Sequence, residues 1–213
     1  MSKYYPINLV LDKKKCLVIG AGKVAERKVQ RLLECGAHVV VIGPLSTAGI
    51  KALAKKKKII FKQRAVTLKD LKDVHLVVAA TTDRKINALV SSYCRKKDIL
   101  INVVDSPKEC SFIVPSVIRR GDLSISISTE GLSPAFAKKI RQDIEQRFGA
   151  EYGALLRVMK EIRPLAIKKI KNIPLRMKFF QKAMQPKILK LLKQNKEKLV
   201  KRKLKRILEG TNI

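Results

Sequence analysis

The chain is short of the residues that hold metals or form disulfides. Its 213 residues include two histidines and four cysteines, and Cys16, Cys35, Cys94 and Cys110 stand far apart with no Cys-x-x-Cys spacing. That pattern argues against a zinc knuckle and a disulfide framework, and reads instead as four small buried thiols. No metal site is expected. Long apolar runs are also missing, and none approaches the roughly 18 residues of a membrane span. The start, Met1 to Pro6, lacks the apolar centre of a secretory signal. A cytoplasmic protein with no membrane partner is therefore expected. Acidic residues are scarce, 17 against 48 lysines and arginines, for a formal net charge of +31. Such a charge attracts nucleic acid, a membrane surface or a polyanionic small molecule, and composition does not choose among them. Aromatic residues make up only 5% of the chain and are not interleaved with the basic ones. Stacking on bases has little to work with, so no nucleic-acid partner is expected.

What is present centres on Lys15 to Lys28, KCLVIGAGKVAERK. Four apolar residues run into Gly20-Ala21-Gly22, and an amphipathic stretch begins at Lys23. This is the layout of a strand turning sharply onto a helix whose N-terminus faces a phosphate. Gly20 suits the tight turn, and Gly22 carries no Cβ to hold a pyrophosphate away from the backbone. Ala25 stands at the third position of the dinucleotide fingerprint, where close helix packing also accepts alanine. A glycine pair of this kind serves a purely steric turn in many chains, so the flanking strand and helix carry the reading.

Around this turn the pattern alternates. Tyr4 to Leu11 reads as a short strand or extended arm. Lys23 to Glu34 is a helix with Val24, Val29, Leu32 and Leu33 as its apolar stripe, ended by Cys35-Gly36. His38 to Ile42 is a β-branched run typical of a covered parallel strand. The carboxylate that often holds the ribose about 20 residues past the glycines is missing, because Ile42-Gly43-Pro44-Leu45-Ser46 occupies that place. Backbone groups or Ser46 would have to serve. Further strands are expected at Ile59 to Arg64, Leu76 to Ala80 and Ile99 to Val104, with helices at Thr47 to Lys57 and Lys85 to Lys96. The expected fold class is α/β, a doubly wound parallel sheet of Rossmann type. Thr82 and Asp83 lie at a strand's C-terminal end, where ligands bind in such sheets, though either would also cap the next helix.

Beyond Pro107 the grammar changes. Leu123 to Ser128 alternates apolar and hydroxyl residues, as an antiparallel strand with one polar face would. Ser133-Pro134 opens a helix expected to end at Gly149. From Glu151 helix is favoured, with breaks expected at Pro164, Pro174 and Pro186. Lys187 to Leu208 reads as a basic amphipathic helix that packs on the core or meets phosphate or membrane. The expected divisions are 1–113, a nucleotide-binding domain; 114–150, a dimerisation and active-site segment; and 151–213, a basic helical domain.

Four segments, GAGKVAERK, VVAATTDRKIN, NVVDSPKECSFIVPSVIRRGDLSISIST and EGLSPAFAKKIRQDIE, follow one another in an order and spacing that resembles the precorrin-2 dehydrogenases. That family includes the N-terminal module of bacterial sirohaem synthase. The resemblance covers residues 7 to about 150 and is loose in the helical remainder. It implies NAD-dependent oxidation of precorrin-2 to sirohydrochlorin by a homodimer, with iron insertion in some members. It further implies that Gly22, Lys23 and Val24 contact NAD, with Pro44 and Leu45 near the adenosine ribose and Thr82, Asp83 and Asn102 along the rest of the cleft. Asp105 would be the catalytic residue, although Asp105-Ser106-Pro107 is also a good turn. Ser128 and Thr129 stand where relatives carry an active-site serine pair, one of which can be phosphorylated; the threonine puts that regulation in question. Arg119, Arg120, Lys138 and Arg141 are candidates for the eight carboxylates of the substrate. No methyltransferase segment follows, so the trifunctional enzyme is not expected. A nucleotide-sensing domain without catalysis is the alternative, and nucleic-acid binding a distant third.

Overall fold

The structure, a computed structural model, describes residues 4–210. It divides into two compact units, Met1–Val114 and Pro115–Ile213. The first three and last three residues of the expected domains lie outside the described residues.

The first unit is built on β1, Lys15–Ile19, which pairs in parallel with β2, His38–Ile42, on one side and with β4, Leu76–Ala79, on the other. Strands β3, Ile60–Lys62, and β5, Leu100–Val103, complete the order β3-β2-β1-β4-β5, parallel throughout. Both faces of β1 are covered, which is why its apolar run is continuous. Cys16 and Val18 meet Ala25, Val29 and Leu32 of α1, Lys23–Glu34, and Ile50 of α2, Ala48–Lys55. Leu17 and Ile19 point the other way, toward Leu71 and toward Val90 and Cys94 of α3, Arg84–Lys96. Burial pushes the Cys16 and Cys94 thiols up to about 11, as expected of buried thiols.

Of the two readings of Tyr4 to Leu11, a short strand or an extended arm, the structure shows no strand: Tyr4 to Val10 lies exposed and Leu11 is buried. One expectation for this unit is corrected. Val24 is exposed at the first turn of α1, and Ala25 takes its place in the core. Between β3 and β4 the chain makes only a 3₁₀ turn at Leu68–Leu71.

In the second unit β6, Ser116–Arg120, pairs antiparallel with β7, Leu123–Ile127. Ser124 and Ser126 face outward while Leu123, Ile125 and Ile127 are half-buried, the period-2 pattern of the sequence. Helix α4, Pro134–Arg147, starts at Ser133, whose hydroxyl accepts from the Phe136 amide at 3.3 Å. It ends at Phe148. Gly149, in extended conformation, is instead the N-cap of α5, Ala150–Lys169. Helix α5 runs straight through Pro164, contrary to the expected break. Pro164 is exposed, so its ring and its missing hydrogen bond face solvent while Ile162 and Ala166 hold the opposite face in the core. Pro174 and Pro186 sit in the first turns of α6, Ile173–Ala183, and α7, Pro186–Lys193. The final basic stretch is two helices, because Asn195 at φ 58° separates α7 from α8, Glu197–Gly210. Ile188, Leu192, Val200, Leu204 and Leu208 enter the core, and the lysines of both helices face out.

Candidate dinucleotide cleft and active site

A cleft of about 530 Å³ opens at the C-terminal ends of the first unit's strands. Gly20 leaves β1 at φ +94°, and a Cβ there would stand 2.6 Å from the Ala80 carbonyl oxygen. Only glycine permits this approach. Hydrogen bonds from Gly20 N to Ile42 O (2.8 Å) and from Ala80 N to Ile19 O (2.7 Å) fix the floor. Gly22, the N-cap of α1, has open space where a Cβ would be and supplies no side-chain cap. The first amides of α1 therefore point outward with the partial positive charge of a helix N-terminus. Beside them Glu26 accepts from the Thr47 hydroxyl at 2.5 Å, and Thr47 caps α2. This ties the loop after β2 to α1.

Gly43, Pro44, Leu45 and Ser46 form the side of the cleft where a ribose carboxylate is missing. The Ser46 hydroxyl oxygen is buried and has no hydrogen-bond partner. An orphaned buried hydroxyl here, with the uncapped helix start, fits a dinucleotide whose ribose and pyrophosphate would supply both partners. Arg64 lines the same end and is forked onto Asp70, at 2.8 Å from Nη1 and 2.6 Å from Nη2. On the far side are Thr81, Thr82 and Asp83. Asp83 caps α3, accepting from the amides of Lys85 (2.9 Å) and Ile86 (3.1 Å). Capping and cleft lining are thus combined in one residue. Asn87 donates to Thr81 O at 3.0 Å, which braces the same turn.

Three expected cofactor residues keep their side chains out of the cleft lining. The side chains of Lys23 and Val24 are exposed on α1, while their backbone amides are the first of the uncapped helix start beside Gly22. Asn102 is buried in β5 and donates to Phe112 O at 3.1 Å, so its amide is engaged within the fold. Asp105 follows β5 in a left-handed turn, φ 58°, with its side chain exposed at the same carboxyl edge of the sheet. Its loop is held by Cys110. The Cys110 sulfur accepts from Val103 N (3.2 Å) and lies 3.3 Å from the carbonyls of Val103 and Ser106. Burial raises the Cys110 pKa, which keeps it a thiol able to donate. Val104 packs on the α1 side of the sheet, and Lys28 of α1 comes near this loop. Burial lowers the Lys28 pKa, Arg31 and Arg27 add to this, and Cys110 and Asp105 oppose it.

In the second unit, Thr129 Oγ1 accepts from Ser133 N (3.2 Å) and donates to Ser133 O (3.0 Å), and Ser128 Oγ accepts from Glu130 N (3.1 Å). Both hydroxyls shape the turn into α4. Arg120 donates from Nε to Phe148 O at 3.0 Å, and Arg119 is exposed beside it. Arg141 pairs with Glu145 at 2.6 Å, and Lys138 is exposed. Among the described residues no cluster of histidine, cysteine, aspartate and glutamate could hold a metal, and no helix is long and apolar enough to cross a membrane.

Arg64, Asp70, Cys110 and Lys28 carry no expected role from the sequence. A signal exists for Asp70, since Thr67-Leu68-Lys69-Asp70 has the spacing of a capping box, and Thr67 and Asp70 form one. The others depend on tertiary contacts.

A family model described as "Putative NAD(P)-binding" matches residues 7–116, and one described as "Sirohaem biosynthesis protein central" matches residues 120–147. Curated relatives include the sirohaem synthases of Ruthia magnifica (35% identical over 84% of this chain and 38% of the relative) and Thioalkalivibrio sulfidiphilus (33% over 97% and 42%). The chain spans about two fifths of the length of such relatives. A solved structure of SirC, a precorrin-2 dehydrogenase, matches 97% of this chain and all of its own with a TM-score of 0.79 at 25% identity.

Proposed function

This chain belongs to the precorrin-2 dehydrogenase family, and from that premise we propose that it oxidises precorrin-2 to sirohydrochlorin with NAD as hydride acceptor. The observation that carries the reading is one sheet edge holding both a dinucleotide cleft and a strand-end aspartate, Asp105. A nucleotide sensor needs the first and has no use for the second.

The reaction removes a hydride and a proton from the macrocycle. A nicotinamide dinucleotide held in this cleft would supply the hydride acceptor. The chain's own part is to place and to deprotonate. The α1 amides, uncapped at Gly22, bind the pyrophosphate, and Ser46 Oγ meets the ribose. Thr82 lines the cleft beyond them. The Asp105 carboxylate accepts the proton, its loop held in shape by the Cys110 thiol. The chain's excess of 31 positive charges draws in an octacarboxylate, with Arg119 and Arg120 of β6 and Ser128 and Thr129 after β7 as its candidate contacts. We read 1–113 as the nucleotide-binding domain, 114–150 as the segment through which a homodimer forms and 151–213 as a helical support. We place the protein in the cytoplasm.

The test is anaerobic turnover of precorrin-2 with NAD, followed as NADH formation, for wild type and Asp105→Asn. Asparagine tolerates a left-handed turn as aspartate does, so the change isolates the carboxylate. We expect a loss of about 10²- to 10⁴-fold in kcat. Full activity in the variant would remove Asp105 from its role, and no turnover by wild type would remove the reaction.

A further inference from the structure

The ribose end of the cleft carries the wrong charge for an NAD enzyme. Chains that take NAD in preference to NADP commonly set a carboxylate at the end of the second strand, where it binds the ribose hydroxyls and repels a 2′-phosphate. Here that place is Gly43-Pro44-Leu45-Ser46, and the charged side chain lining this end of the cleft is a guanidinium, Arg64. The two are close in the fold, since Gln63 donates to Pro44 O at 3.3 Å and Gly43 N to Lys62 O at 3.2 Å. An unopposed arginine at this point would fork onto a 2′-phosphate and favour NADP.

Arg64 is opposed. Asp70 takes both of its terminal nitrogens, Nη1 also donates to Ala65 O at 2.8 Å, and the pair lies across one short turn. The Asp70 side chain is 6% exposed and that of Arg64 44%. Asp70 is further fixed by Thr67, which donates to it from backbone and hydroxyl, both at 3.0 Å, and by Lys62 at 3.5 Å. The hydrogen bonds from Arg64, reinforced by Thr67, hold this carboxyl well below the usual range. It stays ionised wherever the protein is folded at ordinary pH.

Resting on the dinucleotide reading of the cleft, we propose that Asp70 sets the cofactor preference. It occupies and neutralises Arg64, and so denies the cleft a ligand for the 2′-phosphate. A carboxylate carried by the turn after β3 thereby does the work usually given to the end of β2.

The experiment is a fluorescence titration of NADH and NADPH, without substrate, on wild type, Asp70→Asn, Arg64→Gln and the double variant. Wild type should bind NADH more tightly. Asp70→Asn keeps the shape and removes the charge, and should raise the ratio of NADPH to NADH affinity about tenfold, the effect of one charge-assisted contact. Adding Arg64→Gln should abolish that gain. Arg64→Gln alone should lower the ratio, because it leaves the Asp70 carboxylate without its arginine partner and facing a 2′-phosphate it repels; an unchanged or raised ratio in this variant would overturn the assignment, and this arm decides the matter if Asp70→Asn fails to fold. An unchanged ratio in Asp70→Asn, a gain that survives in the double variant, or equal binding of both dinucleotides by wild type would overturn the assignment of Asp70 while leaving the cofactor reading in place. Failure of wild type to bind either would overturn both.

Discussion

The two glycines of the turn should fail in different ways when each is replaced by alanine. Gly20 sits at φ +94°, where an L-residue costs about 1–2 kcal/mol. Its new Cβ would also stand 2.6 Å from the Ala80 carbonyl oxygen and 2.8 Å from the carbonyl carbon, both backbone atoms at the end of β4. Relieving that overlap moves two central strands apart and costs about another 1–3 kcal/mol. Gly20→Ala should therefore lose about 3 kcal/mol, a fall in the first unit's Tm of about 12 °C for a body of this size. Gly22 is at φ −80°, and a Cβ added to it would meet nothing within 4 Å. Gly22→Ala should cost no more than about 0.5 kcal/mol, the handicap of alanine at an N-cap. The methyl group would instead stand where a pyrophosphate must approach the α1 amides. Losing one or two hydrogen bonds to a charged ligand, about 1.5–3 kcal/mol, weakens NADH binding about 10- to 100-fold. Calorimetry and NADH titration on the same two variants separate the effects. A Gly22→Ala protein as unstable as Gly20→Ala, or one that binds NADH like wild type, would refute the division of labour.

Other outcomes follow from burial and pairing. Leu204, fully buried in α8, should lose about 2–5 kcal/mol on truncation to alanine, read as earlier melting of the second unit with the first unit's NADH affinity retained. Asp70 has a folded-state pKa below its unfolded value of about 4, so its contribution is present above that pH and is lost as pH falls through the folded value. Urea denaturation should accordingly find Asp70→Asn about 1 kcal/mol less stable than wild type at pH 7, the gap closing as pH falls below about 4. Cys16 and Cys94, with thiols pushed up to about 11, should react with a maleimide at pH 7 only as fast as the protein unfolds, a rate that mass spectrometry of the labelled peptides reports.

The parallel sheet is legible in the sequence because strands covered on both faces cannot hide polar residues, and β1, β2 and β4 contain almost none. The glycine turn is legible for the same physical reason that it works, close backbone approach. β6 is not, because Arg119 and Arg120 interrupt the alternation that marks β7, and the pairing of Ser116–Arg120 with its neighbour is a tertiary fact. Pro164 reads as a break because sequence does not say which side of a helix meets water. Asn102 falls on its strand, but whether its amide turns into a cleft or toward Phe112 depends on a loop ten residues away. The Arg64–Asp70 fork spans six residues around a turn with no helical period, so no spacing rule points to it.

The place of β1 in the sheet has a consequence for how the chain leaves the ribosome. β1 is the first strand made and the central one in the order β3-β2-β1-β4-β5. Its partner on one side, β2, follows after a single helix, but Leu17 pairs with Val77, about sixty residues further along. At roughly 5–20 residues per second, one edge of this largely apolar strand waits several seconds for its partner. During that interval the nascent chain offers an open hydrophobic edge to any other strand nearby. The step most exposed to misassembly is thus the docking of β4, which is also the step that brings Ala80 against Gly20 and first closes the cleft.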